Sequence, residues 1–328
     1  MTFKYISCLI KKLIPFKDYF KYVSWRMRVA SSINSKSINA NQSNFIKYSS
    51  ASITGVVFSK DRAMQLDLLL RSFFETKIGE CSIKIIYAYS SEQHKKSYEI
   101  LCSIYGDKAD FISEVEFFGF KKCLEKTILE LSTEKVFFLV DDIFFTESID
   151  YDYLSSLDIT NAIFSLRMGA NLSFSYVVNS LQPLPKNIEG NNGVEGNNGV
   201  LLKWKWRDGL FDWAYPLSVD GHIFPTLEVL SWIRRLDFNS PSSFENSLQN
   251  IKYLYRNKDG LCFAKSRLVN VPANKVQNEI ANQYGSIHQD HLLQLWLDGM
   301  VIDYANLRGL MNNSVHQEVD FKYIKRGL

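Results

Sequence analysis

Two adjacent carboxylates, Asp141 and Asp142, end the apolar run Val136-Phe137-Phe138-Leu139-Val140, and Ile143-Phe144-Phe145 follows them. Side-by-side carboxylates repel unless a cation or hydrogen-bond donors neutralise them. Hard oxygen ligands suit Mg²⁺ or Mn²⁺, and such an ion commonly bridges a diphosphate. The structural alternative is a strand that stops at a solvated Asp-Asp turn. A second group, Ser59-Lys60-Asp61-Arg62, stands where an apolar stretch gives way to a helical pattern. Backbone N–H groups at a helix start, with a Lys and an Arg beside them, suit the polar groups of a nucleotide. Plain capping by Asp61 is the alternative there. Neither Gly-x-Gly-x-x-Gly nor Gly-Lys-Ser/Thr occurs, so neither a Rossmann dinucleotide site nor a P-loop is supported.

Further along, Tyr215-Pro216-Leu217-Ser218-Val219-Asp220-Gly221-His222 puts a carboxylate, an imidazole and a glycine turn just after Trp204, Trp206 and Trp213. Aromatic faces cover the C–H patches of sugars while short polar groups bind hydroxyls, so this mixture suits a carbohydrate. The alternative is a tight turn capped by Asp220, with His222 satisfied in the core. Ser243-Phe244-Glu245-Asn246 opens a helix after Asn239-Ser240-Pro241, and a serine followed by Glu245 also has capping-box spacing. His288 and His291 straddle Asp290 without the Glu of a metalloprotease pattern, and read as surface or capping groups. His94 sits among lysines and reads as solvated.

The elements that must hold these groups follow from hydrophobic period. Strands are predicted at 53–58, 83–89, 112–118 and 136–140, with helices at 63–75, 92–105 and 121–131 between them. That alternation means βαβ units and a parallel sheet. The run at 136–140 alternates too little for a half-exposed strand and reads as buried on both faces, which places Asp141 and Asp142 at a carboxyl end where ligands of such sheets bind. Beyond it the pattern predicts strands at 162–166, 173–178, 201–206 and 266–271. Helices are expected at 225–236, 242–255 and 288–297. Residues 189–194 and 195–200 repeat Glu-Gly-Asn-Asn-Gly-Val, a surface loop with a short duplication.

Hydrophobic residues make up 46% of the 328 and charged residues 22%, an ordinary globular balance. The net charge of +3 is unevenly spread: residues 1–50 hold nine Lys or Arg against Asp18 alone. An evenly basic nucleic-acid binder lacks that split, and no nucleic-acid motif is present. In residues 1–30 apolar groups alternate with lysines at helical spacing, which suits an amphipathic helix on an anionic membrane surface. Packing on its own domain is the other use of such a helix. Residues 31–52 read as a linker. Five scattered cysteines without a Cys-x-x-Cys pair argue for reduced thiols. With no apolar run long enough to span a bilayer and no signal-peptide pattern, the expected place is the cytoplasm, at the inner face of the membrane if the basic segment binds it.

Taken together, Val56-Val57-Phe58-Ser59-Lys60-Asp61-Arg62 and Phe138-Leu139-Val140-Asp141-Asp142 resemble the GT-A glycosyltransferases, over roughly residues 53–320. More narrowly, the strings Ser165-Leu166-Arg167-Met168-Gly169, Trp213 to Phe224, and Asn270-Val271-Pro272-Ala273-Asn274-Lys275-Val276-Gln277 are similar to those of bacterial glycosyltransferases from polysaccharide gene clusters. The resemblance implies an α/β GT-A fold: a nucleotide-sugar-binding half at 53–160, an acceptor-side half at 161–311, and a tail at 312–328 that closes the site. It implies a nucleotide-sugar donor, a UDP-sugar first, held by Phe58, Ser59, Lys60, Asp61, Arg62, Tyr89, Asp141 and Arg167. It implies Mn²⁺ or Mg²⁺ on Asp141 and Asp142, with His316 completing the shell from a late loop. Glu245, or Asp220, would be the base of an inverting reaction. Ile143 stands where the strict motif has a third Asp, which leaves open which aspartate meets metal and which ribose. The acceptor implied is a saccharide or lipid-linked saccharide of surface polysaccharide. A nucleotidyltransferase making nucleotide sugars, or a non-catalytic saccharide-binding subunit, are the alternatives.

Overall fold

The computed structural model describes residues 52–191, 200–272 and 289–327. The basic segment 1–30, all but the last residue of the 31–52 linker, most of the duplicated hexapeptide, Ala273 to Gln277 and His288 lie outside the described residues. Nine strands form the main sheet: β1 (Ile53–Lys60), β2 (Ser82–Ala88), β3 (Asp110–Ser113), β4 (Lys135–Val140), β5 (Ala162–Ser165), β6 (Glu189–Asn191), β7 (Leu201–Lys205), β8 (His222–Pro225) and β9 (Asp259–Phe263). Their spatial order is β6-β7-β9-β5-β8-β4-β1-β2-β3. The quartet β4-β1-β2-β3 is parallel throughout, as the βαβ alternation demands. Beyond β4, strand β8 runs antiparallel to both of its neighbours, and β9 pairs parallel with β5. The fold is thus α/β on one large mixed sheet, continuous across residue 160.

Burial on both faces explains the continuous apolar runs. Along β4, Phe137 and Leu139 face one core and Val136 and Phe138 the other. Helices α1 (Ala63–Thr76) and α2 (Glu92–Tyr105) cover the first face. Helices α3 (Phe120–Leu129), α4 (Thr226–Arg235) and α5 (Pro241–Gln249) cover the second. Helix α6 (Gln289–Leu297) returns to the first, through Leu292 and Trp296. Right-handed crossovers dictate this split: the chain steps from β1 to β2 to β3 in one direction, then reverses to reach β4 on the other side of β1. The carboxyl ends of β1 and β4 therefore flank a topological switch point, where open sheets leave a crevice.

Several expected elements are shorter or split. The strand expected at 112–118 stops at Ser113 and continues as a 3₁₀ turn, Glu114–Phe117, and only Phe174–Ser175 pairs within 173–178. The helix expected at 242–255 becomes α5 and a separate 3₁₀ turn, Lys252–Leu254. Strands β8 and β9 carried too short a pattern to be anticipated. Among the described residues no helix is long and apolar enough to cross a membrane.

The tryptophans correct the carbohydrate reading. Trp204, Trp206 and Trp213 are buried, with Trp204 4.8 Å from each of the other two rings in edge-on contact. The Trp204 Nε1–H donates to the Trp213 carbonyl at 3.1 Å. They offer no face to a sugar; they wedge 3₁₀ turns against the sheet. Trp213→Ala is accordingly expected to cost about 3–5 kcal/mol in denaturant unfolding. A loss below about 1 kcal/mol would show the cluster to be peripheral.

Candidate functional site

The β1–α1 turn is anchored from within. Asp61 adopts φ 58°, a left-handed conformation that Asp tolerates, and its Oδ1 accepts the Ser90 N–H at 2.8 Å. Helix α1 has Arg62 as N-cap with no side-chain cap bond, so Asp61 ties β1 to the β2 end and does not cap. His94, expected in solvent, is buried with Nδ1 3.8 Å from the Asp61 carboxylate. The Ser59 hydroxyl hydrogen-bonds the Tyr98 hydroxyl at 2.7 Å.

Across the switch point, Asp141 Oδ2 accepts the Lys60 N–H at 3.1 Å. The Arg62 guanidinium reaches Asp141 Oδ1 at 3.1 Å and Asp142 Oδ2 at 3.4 Å. Burial works to lower the Arg62 pKa, but the two carboxylates outweigh it and raise it. Asp142 is pushed up to about 7 by burial, with Asp141 and Asp220 adding to the rise and Arg62 opposing it. Asp141 is raised by burial too, against the same guanidinium.

The opposite wall comes from residues beyond 160. Strand β8 lies against β4, and Gly221, with φ 75°, donates its N–H to the Phe138 carbonyl at 2.7 Å. That bond draws residues 218–220 alongside Asp142. The Ser218 hydroxyl is a hub: it accepts from Arg167 Nη1 at 2.7 Å and from the Asp220 N–H at 3.2 Å, and donates to Glu245 Oε1 at 3.1 Å. Glu245 Oε1 also accepts the Val219 N–H at 3.3 Å, while Arg167 Nη1 bonds Asp220 Oδ2 at 3.0 Å. Glu245 is not a cap. Ser240 and Ser243 form the capping box of α5, with Pro241 in the first turn, which leaves Glu245 free to face the cleft. Burial, then Asp220, pushes Glu245 up to about 7 against Arg167. Asp220 is raised by burial, again opposed by Arg167.

The tail is built into the fold. Asn270 N–H donates to the Val315 carbonyl and Gln317 N–H to the Asn270 carbonyl, both at 3.0 Å, and Tyr323–Lys325 pairs with Met300–Ile302. This fixes His316 beside Asn270, whose Nδ2 reaches Asp142 Oδ1 at 3.3 Å. His316 Nδ1 and Asn270 Oδ1 are buried without a hydrogen-bond partner. Burial and the Arg167 charge lower His316 to about 3, so its imidazole is neutral.

These groups line one cleft of ≈ 690 Å³: Phe58, Ser59, Lys60, Arg62, Asp141, Asp142, Asp220, Glu245 and His316 from the expected set. Asp61 and Arg167 are not on its surface and act from behind it through Ser90, Ser218 and Asp220. Tyr89 is not brought to the cleft; its ring leans on Tyr87 at 6.4 Å. His222 is a core residue, bonded through Nδ1 to the Pro216 carbonyl at 3.1 Å, and His291 is exposed beside Tyr323. Sequence reasoning missed Asn270, Ser218, Glu114 and Phe120. Glu114 was hidden inside an expected strand, and Asn270 and Ser218 lie in motifs that gave them no role.

No family model matches the chain. Over 279 residues, 77% of its length, the chain is 30% identical to the bifunctional glycosyltransferase pgtA of Dictyostelium discoideum, and it spans 36% of that relative. Among solved structures, S. aureus TarS 1-349 is 16% identical, with 66% of this chain and 59% of that chain covered at a TM-score of 0.40. The mannosyltransferase PcManGT from Pyrobaculum calidifontis, solved with GDP-Man and Mn²⁺, is 13% identical, with 47% and 44% covered at 0.30. By sequence, then, the chain is similar to about a third of a glycosyltransferase.

Proposed function

We propose that the protein is a GT-A glycosyltransferase, moving a sugar from a nucleotide-sugar donor to a saccharide or lipid-linked saccharide of a surface polysaccharide. The observation that carries this reading is the convergence in one cleft of the Asp141-Asp142 strand end, the Glu245 carboxylate and the neutral His316. The geometry supports inversion: Glu245, held by Ser218 and Val219 and poised near neutrality, takes the proton from the acceptor hydroxyl. Arg167 and Ser218 position Asp220, the other candidate base.

The donor set fits a divalent metal. Five carboxylates line the cleft (Glu114, Asp141, Asp142, Asp220 and Glu245) against Lys60 and Arg62, so an anionic diphosphate needs added positive charge. The partnerless His316 Nδ1 and Asn270 Oδ1 lie beside Asp142, an N/O set suited to Mn²⁺ or Mg²⁺. Asp141 is the more tightly engaged of the two, its oxygens bonded to Lys60 N–H and Arg62 at 3.1 Å, against 3.3 and 3.4 Å for the Asn270 and Arg62 contacts of Asp142. Among the described residues no three His, Cys, Asp or Glu are already drawn together as a cage. When bound, the ion neutralises the diphosphate and stabilises the leaving nucleotide. The basic segment 1–30 would hold the enzyme at the cytoplasmic membrane face, near a lipid-linked acceptor.

The test is to supply the full chain with nucleotide sugars and Mn²⁺ and measure release of nucleoside diphosphate. Release that EDTA suppresses is expected. Pyrophosphate formed from a nucleoside triphosphate and a sugar phosphate would identify a nucleotidyltransferase instead. No turnover of any of these would leave a saccharide-binding subunit.

A further inference from the structure

Resting on the nucleotide-sugar reading above, we propose that the Lys60–Glu114 niche selects a guanine base, so that the donor is a GDP-sugar and not the UDP-sugar first expected. Strand register builds the niche. Lys60 pairs with Ala88, and Tyr87 with Ser113, where the β2–β3 register ends and Glu114 opens the 3₁₀ turn that follows. A cation at the end of β1 and an anion just past the end of β3 therefore stand on either side of β2, two strand spacings or roughly 10 Å apart across the sheet. All three line the cleft. The floor is apolar: Phe58, Ile86 and Phe120 are buried, with Phe58 edge-on to Phe120 at 5.1 Å.

Glu114 is half-buried, and the Phe120 N–H donates to its carboxylate. Burial raises its pKa while the Lys60 charge opposes the rise. Asp141 lies one strand beyond Lys60 in the other direction, so Glu114, at the far end of the niche, stands roughly three strand spacings, about 14 Å, from the carboxylate pair. That span suits a nucleoside diphosphate laid across the strand ends.

Complementarity then picks the base. Guanine presents in order an acceptor (O6) and two donors (N1–H and the N2 amine), which match a lysine donor and the two oxygens of one carboxylate. Uracil presents acceptor, donor, acceptor, so the second Glu114 oxygen would oppose a carbonyl. Cytosine offers one donor followed by two acceptors, and adenine a donor next to an acceptor. Neither fills both oxygens of Glu114.

Calorimetric titration of the full chain with GDP, IDP, UDP and CDP, each with Mn²⁺, tests the assignment. GDP should bind tightest, and IDP, which lacks only the N2 amine, at least about 10-fold more weakly. Glu114→Gln should weaken GDP about 10–100-fold and bring IDP within about twofold of it. Lys60→Met should also weaken GDP. If the Gln variant fails to fold, the GDP/IDP ratio of the unmodified chain still decides. Equal affinity for GDP and IDP, or tighter binding of UDP or CDP, would overturn the guanine assignment and leave the glycosyltransferase reading standing. Binding of none of the four would remove both.

Discussion

Replacing Glu245 by Gln should yield a folded protein that binds donor normally and transfers sugar about 10²–10⁴-fold more slowly. The substitution is clean because the structure separates Glu245 from the helix end: Ser240 and Ser243 cap α5 between themselves. A Gln oxygen can still accept from the Ser218 hydroxyl and the Val219 N–H, so position is kept while the capacity to take a proton at neutral pH is lost. The same assignment sets the pH dependence. With the Glu245 carboxyl pushed up to about 7, the working base is the deprotonated form, so kcat/KM should rise with pH and level off above about 7. Below that point, activity falls as protonation removes the base. Steady-state kinetics across pH 5.5–8.5 (roughly the range that brackets such a base) would show this limb and its absence in the Gln variant. A Gln variant with near-normal kcat would transfer the role to Asp220 or favour a retaining mechanism, and leave the fold untouched.

The two adjacent aspartates should behave differently when removed. Asp142→Ala is expected to abolish Mn²⁺-dependent transfer while preserving the fold. Its carboxyl sits near neutrality in a buried, acid-rich wall, so its removal relieves repulsion from Asp141 and Asp220. Arg62 keeps its contact with Asp141 in that variant. Asp141→Ala removes the acceptor of the Lys60 N–H and leaves Arg62 only its longer contact to Asp142, and should destabilise by about 1–3 kcal/mol. Thermal unfolding of both variants, beside transfer assays with and without EDTA, makes the comparison. Undiminished turnover in Asp142→Ala would end the metal assignment to this residue, and equal melting temperatures would show that Arg62 does not depend on Asp141.

What the sequence determined by itself was the frame of the parallel quartet β4-β1-β2-β3. The apolar runs of β1 and β4 announce burial on both faces, and the alternation with α1, α2 and α3 announces a parallel sheet, because local hydrophobic period reports which faces meet a core. From that alone Asp141 and Asp142 had to lie at a carboxyl end, and they do. Helix α2 has the expected bounds, started by Ser91, whose side chain accepts the His94 N–H.

Tertiary structure decided the rest. Whether Glu245 caps a helix or faces a cleft turns on which serine captures the third N–H of α5, a contest between neighbours that spacing alone does not resolve. The meeting of Ser218, Arg167 and Asp220 depends on β8, a strand of four residues whose pairing with β4 and β5 is long-range and leaves no periodic trace. The tryptophans, which looked like a sugar platform, are buried because the two 3₁₀ turns after β7 fold Trp206 and Trp213 onto Trp204. His94 reads as exposed among lysines, yet it is buried, with its Nδ1 3.8 Å from the carboxylate of Asp61, 33 residues earlier in the chain. In each case the deciding energy is a contact between distant residues, and sequence spacing carries information only about near ones.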